Sequence, residues 1–194
     1  LIMKYIQILW QYQEFITASV KREFQIKYQN SLLGGLWTVL NPLSMIFIYT
    51  VIFSQVMRAR LPESDSLYSY SIYLCSGVIT WGLFAEIVGR GQNVFLDNAN
   101  ILKKVSFPRI VLPMILTISA GLNFLIIFAL FIGFIFMVGQ FPGWPIMAVI
   151  PVLAIQILFS VGLGLSLGVF NVFFRDVGQF FNIFLQFWFW LTPI

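Results

Sequence analysis

Charged side chains are so few in this chain that their spacing limits the chemistry open to it. Seven Asp and Glu stand against eleven Lys and Arg, with no His and a single Cys75. Without histidine the commonest metal ligand and general base is missing. No G-x-x-x-x-G-K-[ST] phosphate loop occurs. The acids offer no catalytic carboxylate pair, metal cluster or nucleophile elbow, and Gly89-Arg90-Gly91 is no dinucleotide fingerprint. The reading is therefore no catalytic residue, no metal and no cofactor held by this chain, and no visible energy source for moving anything uphill. What remains is recognition chemistry, concentrated in residues 89–110, GRGQNVFLDNANILKKVSFPRI. Four cations (Arg90, Lys103, Lys104 and Arg109) stand there against one acid, Asp97. Asp97 or Asn98 can cap a short helix, Ile101, Leu102 and Val105 give it a small apolar face, and Pro108 ends it. Two readings fit: a docking element for a soluble partner, or a positive loop that only fixes topology.

One further charged spacing stands out. Glu86 and Arg90 are four residues apart in the order that favours a helical ion pair. A structural clamp and a proton relay are the alternatives.

The elements that position these residues are membrane helices. Hydrophobic residues make up 60% of the 194 and charged ones 9%, against roughly 25% charged in average proteins. The fold class is all-α, an integral membrane protein with several spans. The lone Cys75 allows no disulfide within the chain. The net charge of +4 fits cytoplasmic loops better than nucleic-acid binding, and no cleavable signal peptide is visible.

Residues 4–29 place Ile6, Leu9, Trp10, Ile16, Val20 and Phe24 at helical spacing among six charged residues. This predicts an amphipathic interfacial helix with its cations toward lipid headgroups, or else a helix packed on another domain. Spans are predicted over 36–57, 67–88, 110–138, 146–170 and 179–194. In the first, Asn41 as cap and Pro42 at the first helical position would start a helix within the span. In the fourth, Gly164 and Gly168 form a ridge for close helix approach, with gating motion the alternative. The last visible span is crowded with aromatics and ends in FWFWLTPI, which predicts that a C-terminal part is missing. With the N-terminus inside, nine of the eleven cations fall on the cytoplasmic side, and the bias predicts that orientation.

Four segments fit together in order and spacing: KYQNSLLGGLWTVLNPL (27–43), NILKKVSFPRIVLP (100–113), VFFRDVGQF (172–180) and FWLTPI (189–194). They resemble the permease subunit of ABC-2 type exporters of bacterial polysaccharide, the O-antigen and teichoic-acid class, over essentially the whole chain. The resemblance implies a type V exporter-like transmembrane domain, a homodimer of six-span permeases in the bacterial inner membrane. It implies two soluble ATPase partner subunits that carry ATP and Mg. Residues 4–29 would be the family's interfacial helix and 97–105 its coupling helix, seated in a groove of the ATPase. The re-entrant helices and sixth span of the family are not in this sequence.

The cargo implied is a lipid-linked glycan moved from the cytoplasmic side. Aromatic faces suit a sliding sugar polymer, which makes Trp81, Phe84, Phe187, Trp188 and Trp190 candidates for its path; a lipid-facing aromatic belt is the plainer reading. Arg175 and Asp176 read as a second ATPase contact or a local pair, and Lys103 and Lys104 as partners of ATPase acids or of headgroup phosphates. The rival readings are an ABC-2 exporter of a small hydrophobic molecule or lipid, a membrane-embedded glycosyltransferase, and a scaffold subunit without transport.

Overall fold

A computed structural model describes residues 10–29, 33–53, 68–99, 102 and 108–192. Seven α-helices follow one another among them: α1 (Gln13–Tyr28), α2 (Trp37–Val51), α3 (Ser69–Gly91), α4 (Val94–Asp97), α5 (Val111–Val138), α6 (Val149–Phe173) and α7 (Asp176–Leu191). Short 3-10 turns, Gly34–Leu36 and Trp144–Ala148, lead into α2 and α6. Four helical stretches are long and apolar enough to cross a membrane: Gly34–Phe53, Ser69–Gly91, Val111–Val138 and Trp144–Phe173. The chain is thus a multi-pass, all-helical membrane protein. α7 has 16 residues, against about 20 for a full hydrocarbon core.

α3 is the hub, packing on α2, α5, α6 and α7. Its buried positions, Cys75, Ile79, Leu83 and Ile87, recur every four residues and meet Leu112, Leu116, Ala120 and Phe124 of α5. That spacing holds one stripe of α3 against a neighbour along its length. Most other large apolar side chains face outward, as lipid-facing helices require. α5 ends at Gly139, whose φ of 75° is the left-handed conformation glycine adopts freely. The Gln140 N–H then closes a 3.2 Å bond to the Ile135 carbonyl, capping the helix.

Two expectations are corrected here. Asn41 does not cap a helix: α2 begins at Trp37 and carries Pro42 in its interior. Pro42 has no N–H for the Thr38 carbonyl, and that loss is tolerated in a helix that packs Pro42 and Ile46 into the bundle. Nor does Asp97 start a helix: it is the last residue of α4, and Asn98 donates back to the Val94 carbonyl at 2.9 Å. At Asn98 a further helical turn does begin: residue 99 is helical and the Asn98 carbonyl accepts the Leu102 N–H at 3.0 Å, while the course of that turn lies outside the described residues. α3 also runs on through Arg90 to Gly91, so the polar stretch read as a loop from residue 89 opens as helix.

Candidate functional site

Antiparallel connection brings the end of α3, all of α4, the start of α5 and the α6–α7 corner to one end of the bundle. α1 joins them. Its residues Ile16 and Val20, one turn apart, are buried against Val111 and Ile115 of α5, with Tyr12 and Phe24 extending the stripe. Trp10 is not on this face; it is exposed. The arm is therefore held to the bundle by its apolar stripe, while Lys21, Arg22 and Lys27 stay outside.

The charges at this end form a chain. Arg90 Nη2 donates to Glu23 Oε2 of α1 at 2.7 Å, and Arg90 Nη1 lies 3.6 Å from Glu86 Oε1. Asn123 of α5 donates to the other Glu86 oxygen at 2.9 Å. Three helices are thus joined through one guanidinium and one carboxylate. The expected Glu86–Arg90 ion pair is formed, and Glu23 is the partner that reading α3 alone missed. A cavity of about 600 Å³ lies between α1 and the bundle, lined among others by Arg22, Glu23, Arg90, Asn93, Asp97 and Asn98.

Next to this chain the backbones of α3 and α6 touch. A Cβ placed on Gly91 would lie 2.9 Å from the Gly164 Cα, and one on Gly168 would lie 2.7 Å from the Gly91 oxygen. The ridge expected from Gly164 and Gly168 finds its counterpart in Gly91, and Phe95 of α4 lies over Gly168.

Beneath this contact sits a set of amides. Asn171, 2% exposed, donates through Nδ2 to the Gln92 carbonyl and to Asn93 Oδ1, both at 2.9 Å. Its Oδ1 accepts the Gly178 N–H at 3.1 Å. Gln92, 1% exposed, donates through Nε2 to Asn182 Oδ1 of α7 at 2.6 Å. None of these amides was singled out from the sequence. The available signal was amides flanked by apolar helix, where an unpaired amide is costly.

Of the predicted docking residues, Asp97 is exposed, Leu102 is half-buried and packs on the main core, and Ile101, Lys103, Lys104 and Val105 lie outside the described residues. Arg175 and Asp176 are exposed at the α6–α7 corner, and among the described residues no ion pair includes them. Asp176 opens α7, where a carboxylate complements the positive helix end.

The five aromatics separate into two groups. Trp81, Phe84 and Trp188 pack together, with ring centroids 5.2 Å apart for Trp81–Phe84, 5.3 Å for Phe84–Trp188 and 6.1 Å for Trp81–Trp188. Phe84 is buried there beside Val88 and Leu185. Phe187 and Trp190 face outward on α7, because Gly178, Phe181, Leu185 and Trp188 form its inner stripe. Among the described residues no three His, Cys, Asp or Glu side chains are grouped to hold a metal.

A bundle of apolar spans with a charged, amide-stitched end defines a multi-pass membrane protein. A sequence-family model described as "ABC-2 type transporter" matches residues 14–194, and the chain belongs to that family. It is 33% identical over 182 residues to "O-antigen export system permease protein RfbA" of Klebsiella pneumoniae, covering 93% of this chain and 68% of that protein. It is 31% identical over 192 residues to the RfbA permease of Myxococcus xanthus, covering 99% and 72%. "Polysialic acid transport protein KpsM" of Escherichia coli is 22% identical over 172 residues, covering 88% and 65%.

Proposed function

We propose that this chain is the membrane-spanning subunit of an ATP-driven exporter that carries a lipid-linked, O-antigen-like polysaccharide across the bacterial inner membrane from the cytoplasmic side. The observation that carries the transport reading is the charged end itself. There α4 leads into the basic 97–105 stretch; Asn171 of α6 bonds the Asn93 side chain at its start and the Gln92 carbonyl just before it, and Phe95 of α4 lies against Gly168 of α6. The likeness to O-antigen permeases over nearly the whole chain supports the polysaccharide cargo.

In this reading the charged end is cytoplasmic, which also places the N-terminus inside. Residues 97–105 dock an ATPase subunit, with Arg175 and Asp176 as a second contact. The working unit is two copies of this chain and two ATPases, with ATP and Mg bound on the latter. α1 lies at the membrane surface with its cations toward lipid headgroups.

The test is co-purification. The tagged full chain is extracted in mild detergent from cells that carry its own operon, and the proteins retained are identified by mass spectrometry. An ATP-binding subunit in equal amount, lost when residues 97–105 are replaced by a Gly/Ser linker of equal length, is the expected result. A chain that purifies from intact membranes without any ATPase would overturn the reading.

A further inference from the structure

Asn171 is placed where four helices meet. It lies in the last turn of α6. Its Nδ2 reaches the carbonyl of Gln92, the residue that caps the end of α3, and the side chain of Asn93, the residue that begins α4. Its Oδ1 takes the N–H of Gly178 in the first turn of α7. Helix ends leave backbone groups without intrahelical partners, and local side chains usually cap them. Here α7 has no side-chain cap of its own and neither does α4. One amide from a fourth helix meets three helix ends at once.

The surroundings leave this joint little freedom. Gly91 and Gly164 are in backbone contact, the Gly91 oxygen faces Gly168, and Phe95 of α4 rests on Gly168. Gln92 adds a second tie to α7 through Asn182. A tilt of α4 would strain the Asn93–Asn171 bond and the Phe95–Gly168 contact, and Asn171 also holds the Gly178 N–H of α7. α7 in turn carries Trp188, packed against Trp81 and Phe84 of α3.

We propose that Asn171 is a positioning residue for transport: it passes displacement of α4, which leads into the proposed docking stretch 97–105, to α7, so that ATP hydrolysis in the partner moves the aromatic cluster around Trp188. This deepens the docking reading and rests on it. The inference concerns the ratio of transport to hydrolysis, not the formation of the complex.

The test uses the full complex of this chain with its ATPase. ATP hydrolysis is measured on the purified complex in proteoliposomes, and surface glycan is measured on the cells that supplied it. Asn171→Ala removes all three bonds. Asn93→Ala and Asn182→Ala each remove one bond at a side chain that is not buried, and both are expected to fold. The expected result is a normal amount of co-purified ATPase, continued hydrolysis, and glycan exported per ATP down about tenfold in Asn171→Ala, within the ~5–150-fold span of site-to-site couplings. Asn93→Ala shows a smaller fall in the same ratio.

A role in stability alone would lower complex, hydrolysis and export together and leave the ratio unchanged; that outcome overturns the proposal. If Asn171→Ala yields no folded complex, the ratio in Asn93→Ala and Asn182→Ala decides, and an unchanged ratio in both overturns it. Absence of an ATPase from the unaltered complex would instead sink the docking reading, and this inference with it.

Discussion

Arg90 on α3 donates to Glu23 on α1 at 2.7 Å, closer than its 3.6 Å approach to Glu86 one turn back on its own helix. The long-range bond anchors a surface helix to the bundle at the point where α3 gives way to α4. The arm's apolar stripe sets its position against α5, and the ion pair sets its rotation. Glu86 is held from its other side by Asn123, so the guanidinium bridges two carboxylates, one of them already fixed.

Both members of the Arg90–Glu23 pair are more than a third exposed, and exposed pairs contribute about 0–1 kcal/mol. Glu23→Gln is therefore expected to cost under about 1 kcal/mol. Arg90→Glu costs more, because it puts a third carboxylate beside Glu23 and Glu86. The double exchange Glu23→Arg with Arg90→Glu restores the contact between α1 and α3 but leaves two acids four residues apart on α3, an unfavourable spacing. Its recovery is partial. Folded protein remaining in detergent after graded heating measures the series; complete recovery in the double variant would contradict this geometry.

The apolar framework was legible in the sequence because membrane spans declare themselves by length and composition. Gly164 and Gly168 were legible as a packing ridge because their spacing places them on one helix face. Their partner Gly91 was not. It lies in a polar-looking segment, and only the continuation of α3 past Arg90 brings it level with α6. Asn41-Pro42 misled for a related reason: a local cap-and-proline signal lost to the packing of Pro42 and Ile46 in the bundle. The amides Gln92, Asn93, Asn171 and Asn182 lie up to 90 residues apart in the chain, and no periodicity links them. Their roles come from which helix ends meet. The division of the aromatics was half readable. Residues 178, 181, 185 and 188 fall on one face of α7, which places Trp188 inward and Phe187 and Trp190 outward.

Replacement of the glycines by alanine separates contact from mere conformational preference. An added Cβ meets backbone atoms at 2.9 Å from Gly91 and 2.7 Å from Gly168, whereas Gly162 on the same helix has nothing within 4 Å. Backbone cannot swing aside as a side chain can, so Gly91→Ala and Gly168→Ala are expected to cost about 1–3 kcal/mol or more. Gly164→Ala, with its nearest atoms at 3.3 Å, falls between. Gly162→Ala is neutral or slightly stabilising, since alanine is the better helix former. Membrane-inserted, detergent-stable protein per cell reads out the ranking. Equal behaviour of Gly162→Ala and Gly168→Ala would refute the close approach of α3 and α6.

Lys103 and Lys104 test the docking surface by charge. In the proposed complex they face acids on the ATPase. Two exposed pairs contribute about 0.2–1 kcal/mol each, and reversal adds repulsion, so Lys103→Glu with Lys104→Glu is expected to weaken ATPase retention by about tenfold. Retention in the unaltered complex should also fall as salt rises. Pull-down of the ATPase at two salt concentrations checks both. Unchanged retention of the ATPase by the double variant would assign these lysines to lipid headgroups instead.

The aromatic residues differ in what their loss should do. Phe84 is 5% exposed within the cluster of Trp81, Trp188 and Leu185, and truncation of a buried phenylalanine to alanine costs about 3–5 kcal/mol. Phe84→Ala is therefore expected to lower the amount of folded permease, with export falling in proportion. Trp190 is 83% exposed and touches Phe189 alone among the described aromatic pairs, at 5.4 Å between centroids. Trp190→Leu and Phe187→Leu keep an apolar surface and should leave folded protein near its normal level. If these two side chains line the path of a sugar polymer, surface glycan falls while protein does not, because a stacking face is lost without any loss of packing. Immunoblots of membrane protein and of surface glycan from the same cells separate the two effects. Normal glycan in the Phe187→Leu and Trp190→Leu double variant would leave that outer face of α7 to lipid, and the path would then be sought along the inner face shared by Trp81 and Trp188.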